Sequence, residues 1–190
     1  MIPITLFKEF VYCPRIAYYK LFSISEPVTE SMKYAKTVTA MDIRLAEVVK
    51  AFIAEEFSLV LEAFVESKTL GLSGRVDAVA LTSSEAIPIE IKLDTSPEKV
   101  KRYAFHHIAQ IAAYAIAVEE SFKKPVKRVL IVSIEGSTAF EFKVNPALRE
   151  LIYRLSKELW RVVEEEKIPR PTTSKRKCGA CFYRKLCSRV

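Results

Sequence analysis

Three side chains in the stretch from Gly71 to Lys92 have the types and spacing to do chemistry: Asp77, Glu90 and Lys92. Val76, Ala78 and Ala80 alternate with Arg75, Asp77 and Val79, and Ile87, Ile89 and Ile91 alternate with Pro88, Glu90 and Lys92. Period-two alternation on both sides of the polar stretch Thr82–Glu85 predicts a β-hairpin with a four-residue turn. In that register Leu81 faces Ala86, Val79 faces Pro88, and Asp77 lies opposite Glu90. Opposed residues bring their Cβ atoms to about 5 Å, and like charges there destabilise a sheet. A hard divalent cation such as Mg²⁺ or Mn²⁺ would offset the repulsion, because it takes carboxylate oxygens. Lys92, two residues beyond Glu90, projects from the same face. Its ammonium would support an attacking hydroxide and the charge that builds on a phosphate. The implied chemistry is metal-assisted phosphodiester hydrolysis. The competing reading is a surface hairpin with scattered charges.

The elements around the hairpin must position it. Residues 4–22 predict two short helices broken at Cys13-Pro14, and Pro14 suits the first turn of the second. Helical spacing of Val38, Met41, Leu45, Val48, Val49, Phe52 and Ile53 predicts one long helix over 30–57. A strand is expected over Leu59–Glu66, then the hairpin, then a helix from Pro97 to about Phe122. Strands follow at Val126–Ile134 and Thr138–Val144, turning at Gly136-Ser137. A helix of about twenty residues opens at Pro146 and is stopped by Ile168-Pro-Arg-Pro171. This order gives an α/β fold with a central sheet and helices against it.

The chain of 190 residues suffices for one domain with a real core. No apolar run is long enough to span a bilayer, and no basic stretch followed by an apolar core opens the chain. A cytoplasmic location without a membrane is expected. The net charge of +7 makes a polyanion a fitting partner. Lys99, Lys101 and Arg102 are candidate phosphate contacts at the start of the helix after the hairpin, or simply a solvated face. Gln110 is the only glutamine and Asn145 the only asparagine; few thermolabile amides beside many Lys, Arg and Glu suggest a thermophile.

Cys178 and Cys181 form a C-x2-C, Cys187 follows, and Cys13 would complete four thiolates. That set fits an iron–sulfur cluster or a structural Zn²⁺. Four thiolates hold either [4Fe-4S], the favoured reading, or [2Fe-2S]. Gln110 and Tyr114 are four residues apart and share a helix face. His106 is a further turn back; a His pair, His106-His107, is more often structural, and no metal is assigned to it.

Asp77, Glu90 and Lys92 resemble the D…(D/E)xK motif of restriction-endonuclease-like nucleases, and Gly74-Arg-Val-Asp77 resembles the approach to it in the RecB-like branch. Gln110 with Tyr114 resembles the Q-x-x-x-Y motif of that branch, and Cys13 with Cys178, Cys181 and Cys187 resembles its iron–sulfur members. Over its whole length the chain resembles the CRISPR-associated RecB-like exonucleases. The resemblance implies a restriction-endonuclease-like core over 30–168, with segments 1–29 and 169–190 joined by the cluster. It implies Mg²⁺ or Mn²⁺ held by Asp77, Glu90 and the Ile91 carbonyl, with Gln110 and Tyr114 supporting the DNA backbone. It also implies an exonuclease, read as acting on single-stranded DNA, that processes prespacer ends and cooperates with the CRISPR integrase complex. One departure stands out: the family's metal-binding histidine on the first long helix is missing, and Thr39 or Asp42 falls near its place. This leaves two alternatives: a non-catalytic DNA-end-binding subunit of that complex, and a zinc-stabilised nucleic-acid-binding protein.

Overall fold

In a computed structural model the described residues are 1–22, 44–92, 96, 98–99, 105–133, 135–179 and 181–188. Thr39, Asp42, Lys101 and Arg102 lie outside them. The helices are α1 (Ile4–Tyr12), α2 (Pro14–Phe22), α3 (Arg44–Lys50), α4 (Phe105–Phe122), α5 (Pro146–Glu165), α6 (Lys175–Gly179) and α7 (Arg184–Cys187). The strands are β1 (Ile2–Pro3), β2 (Ser58–Ser67), β3 (Leu72–Leu81), β4 (Ala86–Lys92), β5 (Arg128–Ser133) and β6 (Thr138–Lys143).

One mixed sheet runs β2-β3-β4-β5-β6 with the short β1 also beside β3, antiparallel except for the parallel β1–β3 and β4–β5 pairs. The parallel β4–β5 step needs a crossover, and α4 supplies it. Helices α1, α4 and α5 cover one face of the sheet and α3 packs against the other. This is the expected α/β arrangement, a restriction-endonuclease-like core.

The local reasons are readable. Helix α4 is buried almost all round from Ala109 to Val118, as a helix between sheet and outer helices must be. Its alanines keep the backbone close to the strands. Helix α5 buries Ile152, Ser156 and Leu159, one stripe at i, i+4 and i+7. Asn145 caps it, accepting the Leu148 N–H at 2.9 Å, with Pro146 behind. It ends at Glu166, whose φ of 52° is left-handed, a turn before the prolines expected to stop it. The long helix expected over 30–57 is corrected at its C-terminal end. Helix α3 stops at Lys50, and Phe52 and Ile53 follow in irregular backbone. Ile53 is nevertheless buried beside Leu45 and Val49, so the apolar spacing reported burial correctly but not helix length.

The hairpin is anchored at its far end. The Glu120 carboxylate of α4 accepts Ser67 Oγ–H at 2.5 Å and the Lys68 N–H at 2.8 Å, fastening the β2–β3 turn. Trp160 Nε1 donates to the Leu70 carbonyl at 3.0 Å. Gly71 beside it has φ +68°, and any Cβ there would collide with the Trp160 indole. That turn therefore requires glycine.

Candidate active site

The β3–β4 register is the one the alternation predicts, with Leu81 opposite Ala86, Val79 opposite Pro88 and Ala78 opposite Ile89. Thr82 Oγ1 accepts the Ser84 and Glu85 N–H groups and Thr82 N–H donates to the Glu85 carbonyl, closing the four-residue turn. The ladder ends at Ala78–Ile89, one step short of Asp77 and Glu90. Beyond that point β4 stays with β5, pairing Glu90 with Ile131, Ile91 with Val132 and Lys92 with Ser133. β1 takes the same edge of β3 at Leu72 and Ser73. Among the described residues, positions 74–77 of β3 therefore pair with no strand on that edge, and Asp77 sits where the two central strands part.

The side chain of Asp77 fills part of that gap: its Oδ2 accepts the Ile91 N–H at 2.7 Å. Lys92 Nζ holds Glu90 Oε1 at 2.6 Å. Glu90 is 13% exposed and Lys92 35%, so the pair stands at a partly wet mouth rather than in the core. Burial and then the Glu90 carboxylate push Asp77 up to about 6, against the pull of the Ile91 N–H and Lys92. A carboxylate raised by burial and by a second carboxylate in a half-buried cleft is a functional-site signature. Asp77 and Glu90 carry the oxygen ligands that a hard cation takes, so by the chemistry of their donors they suit Mg²⁺ or Mn²⁺.

Gln110 and Tyr114 look into the same gap. Gln110 hydrogen-bonds the Tyr114 hydroxyl, while burial, Glu90 and Asp77 push that hydroxyl up to about 12. Tyr114 thus stays a neutral donor. It lies against Gly74, where a Cβ would stand 3.1 Å from Tyr114 Oη. The glycine of the Gly-Arg-Val-Asp stretch is there to admit the tyrosine.

His106 and His107 take different roles. His106, expected nearer the site, packs edge-on against Tyr12 with ring centroids 4.9 Å apart. His107 lies closer to the chemistry and feels Lys92 and Glu90. It falls at i−3 from Gln110 and i−7 from Tyr114, on their stripe, and that spacing could have found it. A second feature was invisible in sequence. Glu62 on β2 stands at the register position facing Asp77, has φ 45°, and adds to the negative field on Asp77.

The four cysteines come together at the other end of α1. Cys13, Cys178, Cys181 and Cys187 line one cavity of about 390 Å³ with Arg15, Tyr19 and Lys177. All four are free thiols. Arg15 Nη1 donates to Cys187 Sγ at 3.2 Å, and the Thr172 N–H reaches Cys13 Sγ at 3.5 Å. Burial and the other three cysteines raise the Cys181 thiol, against the pull of a backbone N–H. Among the described residues no three His, Cys, Asp or Glu side chains converge tightly enough to grip a single ion. Four thiols lining one cavity are donors of the kind that hold an iron–sulfur cluster or a zinc ion.

Comparison with known proteins agrees with this geometry. Residues 23–188 match the family model of the PD-(D/E)XK nuclease superfamily. The chain is 32% identical to the CRISPR-associated exonuclease Cas4 of Aeropyrum pernix, covering 98% of this chain and 94% of that protein. It is 29% identical to the protein of the same name from Thermoproteus tenax, covering 98% and 93%. A crystal structure assigned as an exonuclease from Eubacterium rectale superposes with a TM-score of 0.51 at 12% identity, covering 97% of this chain and 87% of that one, which supports the fold alone. The chain therefore belongs to the PD-(D/E)XK nuclease superfamily and, within it, to the RecB-like Cas4 family of CRISPR-associated nucleases.

Proposed function

We propose that this protein is a metal-dependent DNA exonuclease that trims the single-stranded ends of prespacer DNA and hands them to the CRISPR integrase complex. The observation that carries the reading is the gap between β3 and β4, into which Asp77, Glu90, Lys92, Gln110 and Tyr114 converge from two strands and one helix. A divalent cation held by Asp77, Glu90 and the Ile91 carbonyl would supply Lewis acidity at the scissile phosphate. The chain's own residues do the rest. Lys92, which holds Glu90 at the mouth of the gap, presents its ammonium to the phosphate and to the incoming hydroxide. Tyr114 and Gln110, linked by a hydrogen bond, donate to non-bridging phosphate oxygens and fix the strand's register. The Ile91 N–H keeps Asp77 turned into the gap.

Cys13, Cys178, Cys181 and Cys187 are assigned to an iron–sulfur cluster that ties the two chain ends together and does not take part in cleavage. The family's usual histidine position falls at Thr39 or Asp42, outside the described residues.

The test is digestion of end-labelled single- and double-stranded oligodeoxynucleotides by anaerobically purified protein, with Mg²⁺, Mn²⁺ or chelator. Progressive shortening from one end, lost with chelator and in Glu90→Ala, is expected. Wild type that binds DNA ends yet cuts nothing with either metal would instead establish a non-catalytic end-binding subunit.

A further inference from the structure

A continuous run of contacts joins the candidate active site to the cysteine-bearing segment. Lys177, the residue before Cys178, donates from Nζ to the Tyr12 carbonyl at 3.0 Å and sits 4.6 Å from the Tyr12 ring centroid. Tyr12 meets His106 edge-on at 4.9 Å, and the His106 and His107 rings lie 4.2 Å apart. His107 shares its helix stripe with Gln110 and Tyr114, which face Asp77 and Glu90. Lys8 stands one turn before Tyr12 on α1, on the same face.

Positive charge predominates along this run. Burial lowers both histidines most; Lys177 and Lys8 lower His106 further, and Lys8 and Lys92 lower His107 further. The acids that reach His107 are Glu90, already held by Lys92, and Glu9, already held by Lys20 at 3.3 Å. Among the described residues Lys8 has no carboxylate partner. From Lys167 to the C-terminus the sequence contains no Asp or Glu while Lys and Arg recur. Positive charge gathered beside two half-buried imidazoles favours an anion there. The run of contacts extends from the cysteine-bearing segment to the Asp77–Glu90–Lys92 site, which suits an extended nucleic-acid backbone better than a small anion.

We propose, on the basis of the DNA-nuclease reading above, that Lys8, His107 and Lys177 form a phosphate track carrying one DNA strand from the Asp77–Glu90–Lys92 site to the cysteine-bearing C-terminal segment. Lys8 and Lys177 contact phosphates as point charges. Neutral His107 donates a ring N–H to the phosphate next to the one at Lys92. Tyr12, packed between Lys177 and His106, offers its ring to a base. The C-terminal segment is then part of the binding surface, and ligation of its cysteines sets the far end of the track.

The experiment is a salt titration of binding to a fluorescein-labelled single-stranded oligodeoxynucleotide in buffer without divalent metal, where cutting cannot intervene. Each phosphate contact removed should lower the slope of log Kd against log salt by about 0.7. Lys8→Gln and Lys177→Gln are each expected to weaken binding severalfold with that loss of slope, and Lys177→Arg to restore it. Lys143→Gln, an exposed charge on β6, controls for net charge and should leave the slope unchanged. Lys8→Gln alone decides if Lys177→Gln also loosens the tail. Unaltered slopes in both Lys8→Gln and Lys177→Gln overturn the track while leaving the nuclease reading intact. A wild-type protein that binds no DNA overturns both.

Discussion

The hairpin that carries Asp77 and Glu90 and the segment that carries Cys178, Cys181 and Cys187 are held by different physics. The hairpin is fixed many times over. Strand β3 pairs along its length with β2 and at both ends of its other edge, and Val76, Ala78, Val79, Ala80, Ile87 and Ile89 are all buried. Removing one side chain there leaves the rest of the ladder in place. The C-terminal segment buries Tyr183, stacked on Tyr19 at 5.3 Å, while its neighbour Phe182 is 54% exposed. Further ties include the bonds from Arg15 and Lys177, the Thr172 N–H to Cys13 Sγ, and the packing of Leu186. Apolar burial of one aromatic side chain contributes only a few kcal/mol, on the order of 2–3. Ligation that closes a loop from Cys13 to Cys178 is the larger stabilising influence available to it. On the proposed ligation, one chain end would depend on chemistry where the centre depends on packing.

The sharpest break is in activity. Lys92→Ala should cut kcat on the order of 10²–10³-fold, the usual loss when a group stabilising developing charge is removed. Its side chain is a third exposed, so the melting temperature should hardly move. Single-turnover cleavage and thermal unfolding on the same sample check this. A large fall in melting temperature with the activity would mean that Lys92 supports structure rather than the reaction.

The opposite pattern is expected at the chain ends. Freshly prepared protein should be brown and contain iron and acid-labile sulfide. Cys13→Ala should bleach it and open residues 166–177 to protease, while β2–β5 keep their slow hydrogen exchange. Loss of a ligated group costs a small domain several kcal/mol, so the variant should melt well below wild type. Colourless wild type with one zinc per chain and no sulfide would replace the cluster by a structural zinc.

Why the two regions differed in legibility follows from the same contrast. The hairpin register could be read because a one-residue slip would turn Ile87 and Ile89 out of the core, and because Thr82–Glu85 closes its own turn through the Thr82 hydroxyl. Gln110 and Tyr114 were legible as a helix pair because spacing alone puts them on one face. What no local pattern could give was long-range placement. β1 is two residues long and is a strand only because Leu72 and Ser73 lie beside it. The left-handed Glu62 has no glycine or asparagine to announce it. Glu120 reads as an ordinary acid near a helix end until the β2–β3 turn is folded onto it. The grouping of Cys13 with the distant cysteines was suggested by residue type, while their common cavity required the fold.

A smaller effect separates burial from catalysis within the hairpin. Asp77 ionises near 3.8 when free of the fold and near 6 within it. Between those values the folded protein holds a proton that the unfolded chain has released. The metal-free protein should therefore lose stability as pH rises from about 4 to 6, and recover none of it above. The raised value corresponds to on the order of 1–3 kcal/mol once the pair's partial solvation is allowed for. Asp77→Asn keeps an acceptor for the Ile91 N–H and removes the charge. It should stabilise the metal-free protein near neutral pH by about that amount and little near pH 4. Activity should vanish in this variant. A flat difference between the two proteins across pH 4–7 would show that Asp77 titrates normally.

The smallest change is one methyl group. Gly74 is an ordinary strand position in its dihedral angles, so alanine is conformationally tolerated and stiffens the unfolded chain, a gain of about 0.4–1 kcal/mol. Against that, the new Cβ would lie 3.1 Å from Tyr114 Cε1 and Oη and 3.5 Å from Ile4 Cβ. The tyrosine must give way by a few tenths of an ångström, because α1 blocks the other side. Stability should therefore change by less than about 1 kcal/mol in either direction. The hydroxyl that Gln110 holds would nonetheless shift relative to the phosphate position between Asp77 and Glu90. Cleavage by Gly74→Ala should fall about tenfold through kcat, with DNA affinity nearly unchanged. Tyr114→Phe removes the same hydroxyl without moving the ring and should reproduce that loss. If Gly74→Ala cuts normally while Tyr114→Phe does not, the ring accommodates the methyl and the spacing at this position is slack. If both cut normally, the Gln110–Tyr114 pair holds the helix against the sheet and takes no part in gripping the strand.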